Sequence, residues 1–67
     1  MAKIQLNGKN VVIKPNYTIF DLLKKYNLSK KKVAIEYNGT IIQKANYKKR
    51  ILKNNDKLEV VHFIGGG

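Results

Sequence analysis

Thr18-Ile19-Phe20-Asp21-Leu22-Leu23-Lys24-Lys25-Tyr26-Asn27 decides the fold, because it carries a clear helical period in a chain that otherwise alternates. Thr18 and Asp21 stand three apart, the spacing of a capping box in which each side chain satisfies the other residue's backbone N–H. Ile19, Leu22, Leu23 and Tyr26 then fall at i, i+3, i+4 and i+7, one apolar stripe on a short helix. Lys24 and Lys25 lie in the last turn, where the helix dipole favours cations. Asn27 is the expected stop.

Upstream, Ile4 and Leu6 alternate with Lys3 and Gln5, the period of a half-buried strand. Asn7-Gly8 follows, a strong signal for a type I′ hairpin turn. Asn10 to Lys14 is the return strand, with Val11 and Ile13 on one face and Val12 on the other. Pro15-Asn16 ends it, since proline cannot donate to a ladder. Downstream of the helix, Lys30-Lys31-Lys32 reads as a solvated connector. Val33, Ile35 and Tyr37 alternate with Ala34 and Glu36, Asn38-Gly39 repeats the hairpin signal, and Thr40 to Gln43 forms a short fourth strand. Lys44 to Asn55 predicts an irregular connection or helical turn, anchored by Ala45, Tyr47, Ile51 and Leu52. Asn54-Asn55-Asp56 is a turn cluster, and Lys57 to Ile64 is the last strand.

Two hairpins joined by one helix, with a terminal strand, predict an α+β domain. The expected architecture is a ubiquitin-like β-grasp. In it a mixed sheet of four to five strands has one main helix packed on one face, and the first and last strands meet at the centre. Residues 1–64 form the domain and residues 65–67 a flexible glycine tail.

A chain of 67 residues has room for one small core. It lacks cysteine, which excludes disulfides, thiolate metal sites and a thiol nucleophile, and its single histidine cannot build a metal cluster. No stretch has the length and apolarity of a membrane span, and Met1-Ala2-Lys3 opens a strand pattern and not a signal peptide. The expected location is the cytoplasm, or the plastid stroma if the gene is plastid-encoded. The formal charge of +10 comes from lysines and only Arg50. Nucleic-acid sites favour arginine, and Asn, Ile and Tyr are abundant too, so the bias reads as codon composition, with no nucleic-acid partner expected.

Catalysis has little to stand on. Asp21 is used by the cap and Asp56 by a turn, while Glu36 and Glu59 face solvent from strands. Ser29 has no motif around it, His62 lies in a strand, and Gly65-Gly66-Gly67 precedes no helix that could cradle phosphate. The tail itself is the informative feature. Glycine has no Cβ, so Gly65 and Gly66 can thread a narrow slot and deliver the carboxylate of Gly67 to a partner's active site. An α-carboxyl group has a pKa near ~3.5 and is ionised at neutral pH. It can attack the α-phosphate of ATP, giving an acyl-adenylate that a sulfur or amine nucleophile then displaces. Beside the tail, Leu58 and Val60 should face the core, and Val61 and Phe63 the other side. Exposed apolar residues mark interaction sites; the alternative is that the Lys44 to Asn55 connection covers one of them.

Ile19-Phe20-Asp21-Leu22-Leu23, Val33-Ala34-Ile35-Glu36-Tyr37-Asn38-Gly39, Ile41-Ile42, Asp56 and Val61-His62-Phe63-Ile64-Gly65-Gly66-Gly67 together resemble the ThiS family, the sulfur carriers of thiamine biosynthesis. The likeness covers the whole chain. It implies a protein substrate with no catalytic residue, no metal site and no bound cofactor of its own. A ThiF-like adenylating enzyme would use ATP and magnesium to adenylate Gly67. A sulfur relay from a cysteine desulfurase would convert it to a thiocarboxylate, and a ThiG-like thiazole synthase would take the sulfur. Gly65 and Gly66 would thread the tail, and Val61, Phe63 and Ile64 would dock the partner; no membrane is involved. Two alternatives stay open: the small subunit of molybdopterin synthase or another β-grasp sulfur carrier, and, from a different class, a basic β-grasp RNA-binding module.

Overall fold

A computed structural model describes residues 1–28 and 32–62. The elements run β1 (Ala2–Leu6), β2 (Lys9–Ile13), α1 (Ile19–Lys25), β3 (Val33–Tyr37), β4 (Thr40–Ile42), a 3-10 turn (Lys44–Asn46) and β5 (Lys57–His62). They form a five-stranded sheet in the order β2-β1-β5-β3-β4. β1 and β5 pair in parallel at the centre, and the other pairs are antiparallel. This is the expected mixed β-grasp sheet with one helix.

Both Asn-Gly turns place their residues at positive φ, at 51° and 81° for Asn7-Gly8 and 50° and 90° for Asn38-Gly39, as a type I′ turn requires. Asn16, Asn27 and Asn55 are also left-handed. Asparagine is the side chain that best tolerates this region, apart from glycine. The asparagine content therefore does structural work at five positions, beyond what codon bias accounts for.

The capping box is formed. Asp21 N–H donates to Thr18 Oγ1 at 3.1 Å, and Thr18 N–H donates to Asp21 Oδ2 at 3.0 Å. The first helical donors are satisfied by the β4–β5 connection: Ile19 N–H reaches Arg50 O at 3.1 Å, and Phe20 N–H reaches Tyr47 O at 3.0 Å. Ile19, Leu22 and Leu23 are buried, together with Ile4, Ile13, Val33, Ile35, Tyr47, Leu52 and Leu58.

Three expected core positions lie elsewhere. Tyr26 is 41% exposed because the helix ends at Lys25 and Tyr26 is its C-cap. Asn27 N–H bonds Lys24 O at 3.1 Å and Leu28 N–H bonds Leu23 O at 2.8 Å, the paired bonds of a Schellman motif. That reversal lets half-buried Leu28 pack on the core where the stripe placed Tyr26. Ala45 and Ile51 are exposed as well. Ile51 sits in an isolated bridge to Thr18, so alternation turns Leu52 inward and Ile51 out. The fourth strand stops at Ile42, one residue early, where Gln43 becomes the N-cap of the 3-10 turn.

Candidate functional site: the last strand and its outer face

The strand that leads to the glycines is the middle strand of the sheet. β5 pairs with β1 through Lys57 and Leu58, and with β3 from Leu58 to His62. Leu58 and Val60 are buried, while Lys57, Glu59, Val61 and His62 are exposed. The predicted facing of this strand is correct, and Val61 is 56% exposed. The Lys44 to Asn55 connection does not cover it. Phe63, Ile64, Gly65, Gly66 and Gly67, and with them the boundary between domain and tail, lie outside the described residues, as does Ser29.

Each hairpin turn also grips β5 through its asparagine. Asn7 N–H donates to Leu58 O at 2.9 Å, and Asn7 Oδ1 accepts from Val60 N–H at 2.7 Å. Asn38 N–H donates to Lys57 O at 2.8 Å, and Asn38 Oδ1 accepts from Lys57 N–H at 2.7 Å. The turn signals were legible; that both turns close on the same strand was not, because it depends on strand order.

Asp56, immediately before β5, is more than a turn residue. It is only 7% exposed. Its carboxylate accepts from Tyr37 Oη at 2.7 Å, Lys53 N–H at 2.7 Å and Asn38 Nδ2 at 3.2 Å. Burial, then the hydrogen bond to Asp56 and that carboxylate's charge, push the Tyr37 phenol up to about 12, and the nearby Arg50 guanidinium partly opposes this. Arg50 lies 5.2 Å from the Tyr37 ring centre. The network fixes where β5 begins.

The four acids are thus accounted for. Asp21 caps the helix and Asp56 is enclosed in its network. Glu36 and Glu59 are direct cross-strand partners on the outer face of the sheet, beside Ile41 and Val61. A shallow hollow of about 340 Å³ is lined by Asn46, Lys49, Arg50, Ile51 and Lys53 and carries no acid. Among the described residues no group of three His, Cys, Asp or Glu could hold a metal ion, and no helix is long and apolar enough to cross a membrane. What the site offers is a central strand paired on both sides, an outer face that carries Lys57, Glu59 and Val61 beside Glu36 and Ile41, and a sequence that runs on to three glycines.

The ThiS family model matches residues 4–67. The chain is 48% identical over 65 residues to the sulfur carrier protein ThiS of Bacillus subtilis, covering 96% of this chain and 98% of that protein. It is also 38% identical to a segment of the thiazole synthase of Magnetococcus marinus; the match covers 97% of this chain but 20% of that protein. The crystal structure of the thiamine biosynthesis protein ThiS from Geobacter metallireducens superposes with a TM-score of 0.79 at 24% identity, over 97% of this chain and 99% of that one, and so shows the same fold. With a five-stranded β-grasp sheet and a family match that runs through the terminal glycines, this chain belongs to the ThiS family.

Proposed function

We propose that this protein carries sulfur for thiazole formation in thiamine biosynthesis, and that the carrying group is the C-terminal carboxylate of Gly67. The observation that carries the reading is the near full-length likeness to the Bacillus subtilis sulfur carrier, taken with a family match that includes Gly65, Gly66 and Gly67.

The chemistry belongs to partner enzymes. A Gly67 carboxylate oxygen attacks the α-phosphorus of magnesium-bound ATP, the bond to the β-phosphate oxygen breaks, and pyrophosphate leaves. The terminal sulfur of a persulfide supplied by a cysteine desulfurase relay attacks the acyl carbon and expels AMP; a partner thiol then cleaves the S–S bond of the resulting acyl disulfide, ending in a disulfide with the relay sulfur and releasing Gly67 as a thiocarboxylate. A thiazole synthase then takes the sulfur. The match to a fifth of a protein named thiazole synthase supports that last pairing, since the two sequences are joined in one chain there. The carrier contributes reach, a side-chain-free tail and a docking face of Val61, Phe63 and Ile64, and works in the cytoplasm or the plastid stroma.

The test is intact mass. Incubated with a cognate adenylating enzyme, ATP, magnesium and a sulfur donor, the protein should gain the mass of one oxygen-to-sulfur exchange, localised to Gly67. Deleting Gly67 or adding one bulky residue after it should abolish the gain while the circular dichroism spectrum stays unchanged. Undiminished loading of the truncated chain would refute the carrier role.

A further inference from the structure

Among the described residues, the two side-chain carboxylates not engaged in the fold stand directly opposite each other. Glu36 of β3 pairs with Glu59 of β5, while Asp21 and Asp56 are held in the helix cap and the Tyr37 network. Cross-strand partners have Cβ atoms about 4.5–5.5 Å apart, and like charges placed so oppose sheet stability. A chain with 14 lysines and arginines could have set a cation opposite either glutamate. Among the described residues it sets none, and neither carboxylate has an ion-pair partner. On the same face, Ile41 opposes Glu36 and is 62% exposed, and Val61 lies on β5 two residues beyond Glu59. The one cation on this face of β5, Lys57, stands diagonal to Glu36 and not opposite it, so the direct like-charge pair opposes sheet stability. A ligand with the opposite charge would gain from this arrangement.

We propose that the patch of Glu36, Glu59, Ile41 and Val61 receives an arginine from the docking surface of the adenylating partner. This deepens the sulfur-carrier reading and rests on it. A guanidinium presents donors in a planar fork that carboxylates accept in pairs. Its aliphatic stem suits the flanking Ile41 and Val61. The patch is continuous with the reactive end: Glu59 and Val61 lie on the strand that leads to Gly67. Six residues of extended chain reach at most about 20–22 Å, so a partner seated on Val61 has its active site within that distance. The acid pair fixes register on the strand whose sequence leads to Gly67.

The test uses the full chain and the same adenylating enzyme, with affinity measured by titration and loading by intact mass. Glu36→Gln and Glu59→Gln keep shape and remove charge. Each should leave melting unchanged or slightly higher, and weaken binding about tenfold. Glu59→Arg should weaken it at least a hundredfold, and saturating enzyme should restore loading at Gly67, since the tail is intact. Unchanged affinity in both glutamine variants, while wild type and variants still acquire sulfur, overturns the arginine contact and leaves the carrier role standing. Failure of the wild type to load overturns both. Self-association of the wild type that Glu59→Arg abolishes would assign the patch to a second copy of the chain and overturn the proposal.

Discussion

Asp56→Ala is the substitution that most directly tests how β5 is held. The carboxylate is buried and accepts three hydrogen bonds, from Tyr37 Oη, Lys53 N–H and Asn38 Nδ2. Alanine removes all three. Lys53 and Asn38 can turn to water, but the Tyr37 hydroxyl is enclosed and loses its partner. An orphaned buried donor costs about 1–3 kcal/mol, and hydrogen bonds to a charged group contribute about 1.5–3 kcal/mol. Allowing for rehydration of the two outer donors, the loss should be about 3–4 kcal/mol. A domain of this size has roughly 3–10 kcal/mol in total, so the variant should be marginal. Each kcal/mol moves the melting temperature of a domain this small by about 4–8 °C, giving a fall of about 12–30 °C by circular dichroism. Tyr37→Phe removes the donor with its partner still engaged and should cost about 1 kcal/mol. The double variant should cost less than the sum, by about 1–2 kcal/mol, because the two residues share a bond. Additive losses, or a melting shift under 3 °C for Asp56→Ala, would show that water already satisfies the carboxylate and that the network does not fix the start of β5.

Tyr37 also sets a pH dependence. Its folded pKa is raised to about 12 from about 10 in the unfolded chain, so its contribution is fully present below pH 10 and is lost as pH rises through 12; Tyr37→Phe should flatten the denaturation midpoint across that window relative to wild type. Leu58→Ala should destabilise by about 2–5 kcal/mol as a core truncation, whereas exposed Val61→Ala should stay within about 0.5 kcal/mol and weaken partner affinity by on the order of 1 kcal/mol. The reverse pattern would mean that the strand faces the other way. Binding to RNA should be weak, indifferent to sequence and steeply salt-dependent, as an electrophoretic shift at two salt concentrations would report; tight selective binding at physiological salt would favour the RNA-binding module.

Local signals in this sequence carried the fold. The capping box at Thr18 and Asp21, both Asn-Gly turns and the alternation in β5 each rest on interactions within a few residues, and each appears where expected. The misplacements have a shared cause. Tyr26 continues the helical stripe on paper, but the Schellman reversal at Asn27 substitutes Leu28, and helical periodicity contains no term for where a helix stops. Ile51 and Ala45 lie in a segment without period, where bridging to Thr18 selects the inward residue. Long-range consequences were illegible for a different reason. Glu36 and Glu59 are 23 residues apart in the chain; only the β3–β5 register makes them neighbours. The same holds for Asn7 and Asn38 closing on β5.

On the carrier reading proposed above, Gly67 is presented to an enzyme at the end of three glycines that follow the middle strand of the sheet, and residues without side chains add little to affinity or orientation. Position must come from the body. β5 is hydrogen-bonded on both sides, held by Asn7 and Asn38, and fixed at its start by Asp56. A partner seated on Glu59 and Val61 therefore grips the strand whose sequence runs on to Gly67. Positioning reacting groups this way replaces a bimolecular encounter with a nearly unimolecular one, and misplacement by an ångström can cost a hundredfold in rate. On this argument, loosening β5 should slow sulfur loading at saturating enzyme before it reduces binding. Asn7→Gly keeps the left-handed turn but removes the side-chain bond to Val60, and so tests this without touching the docking face. A normal loading rate and normal affinity in that variant would show that a rigid strand is not required.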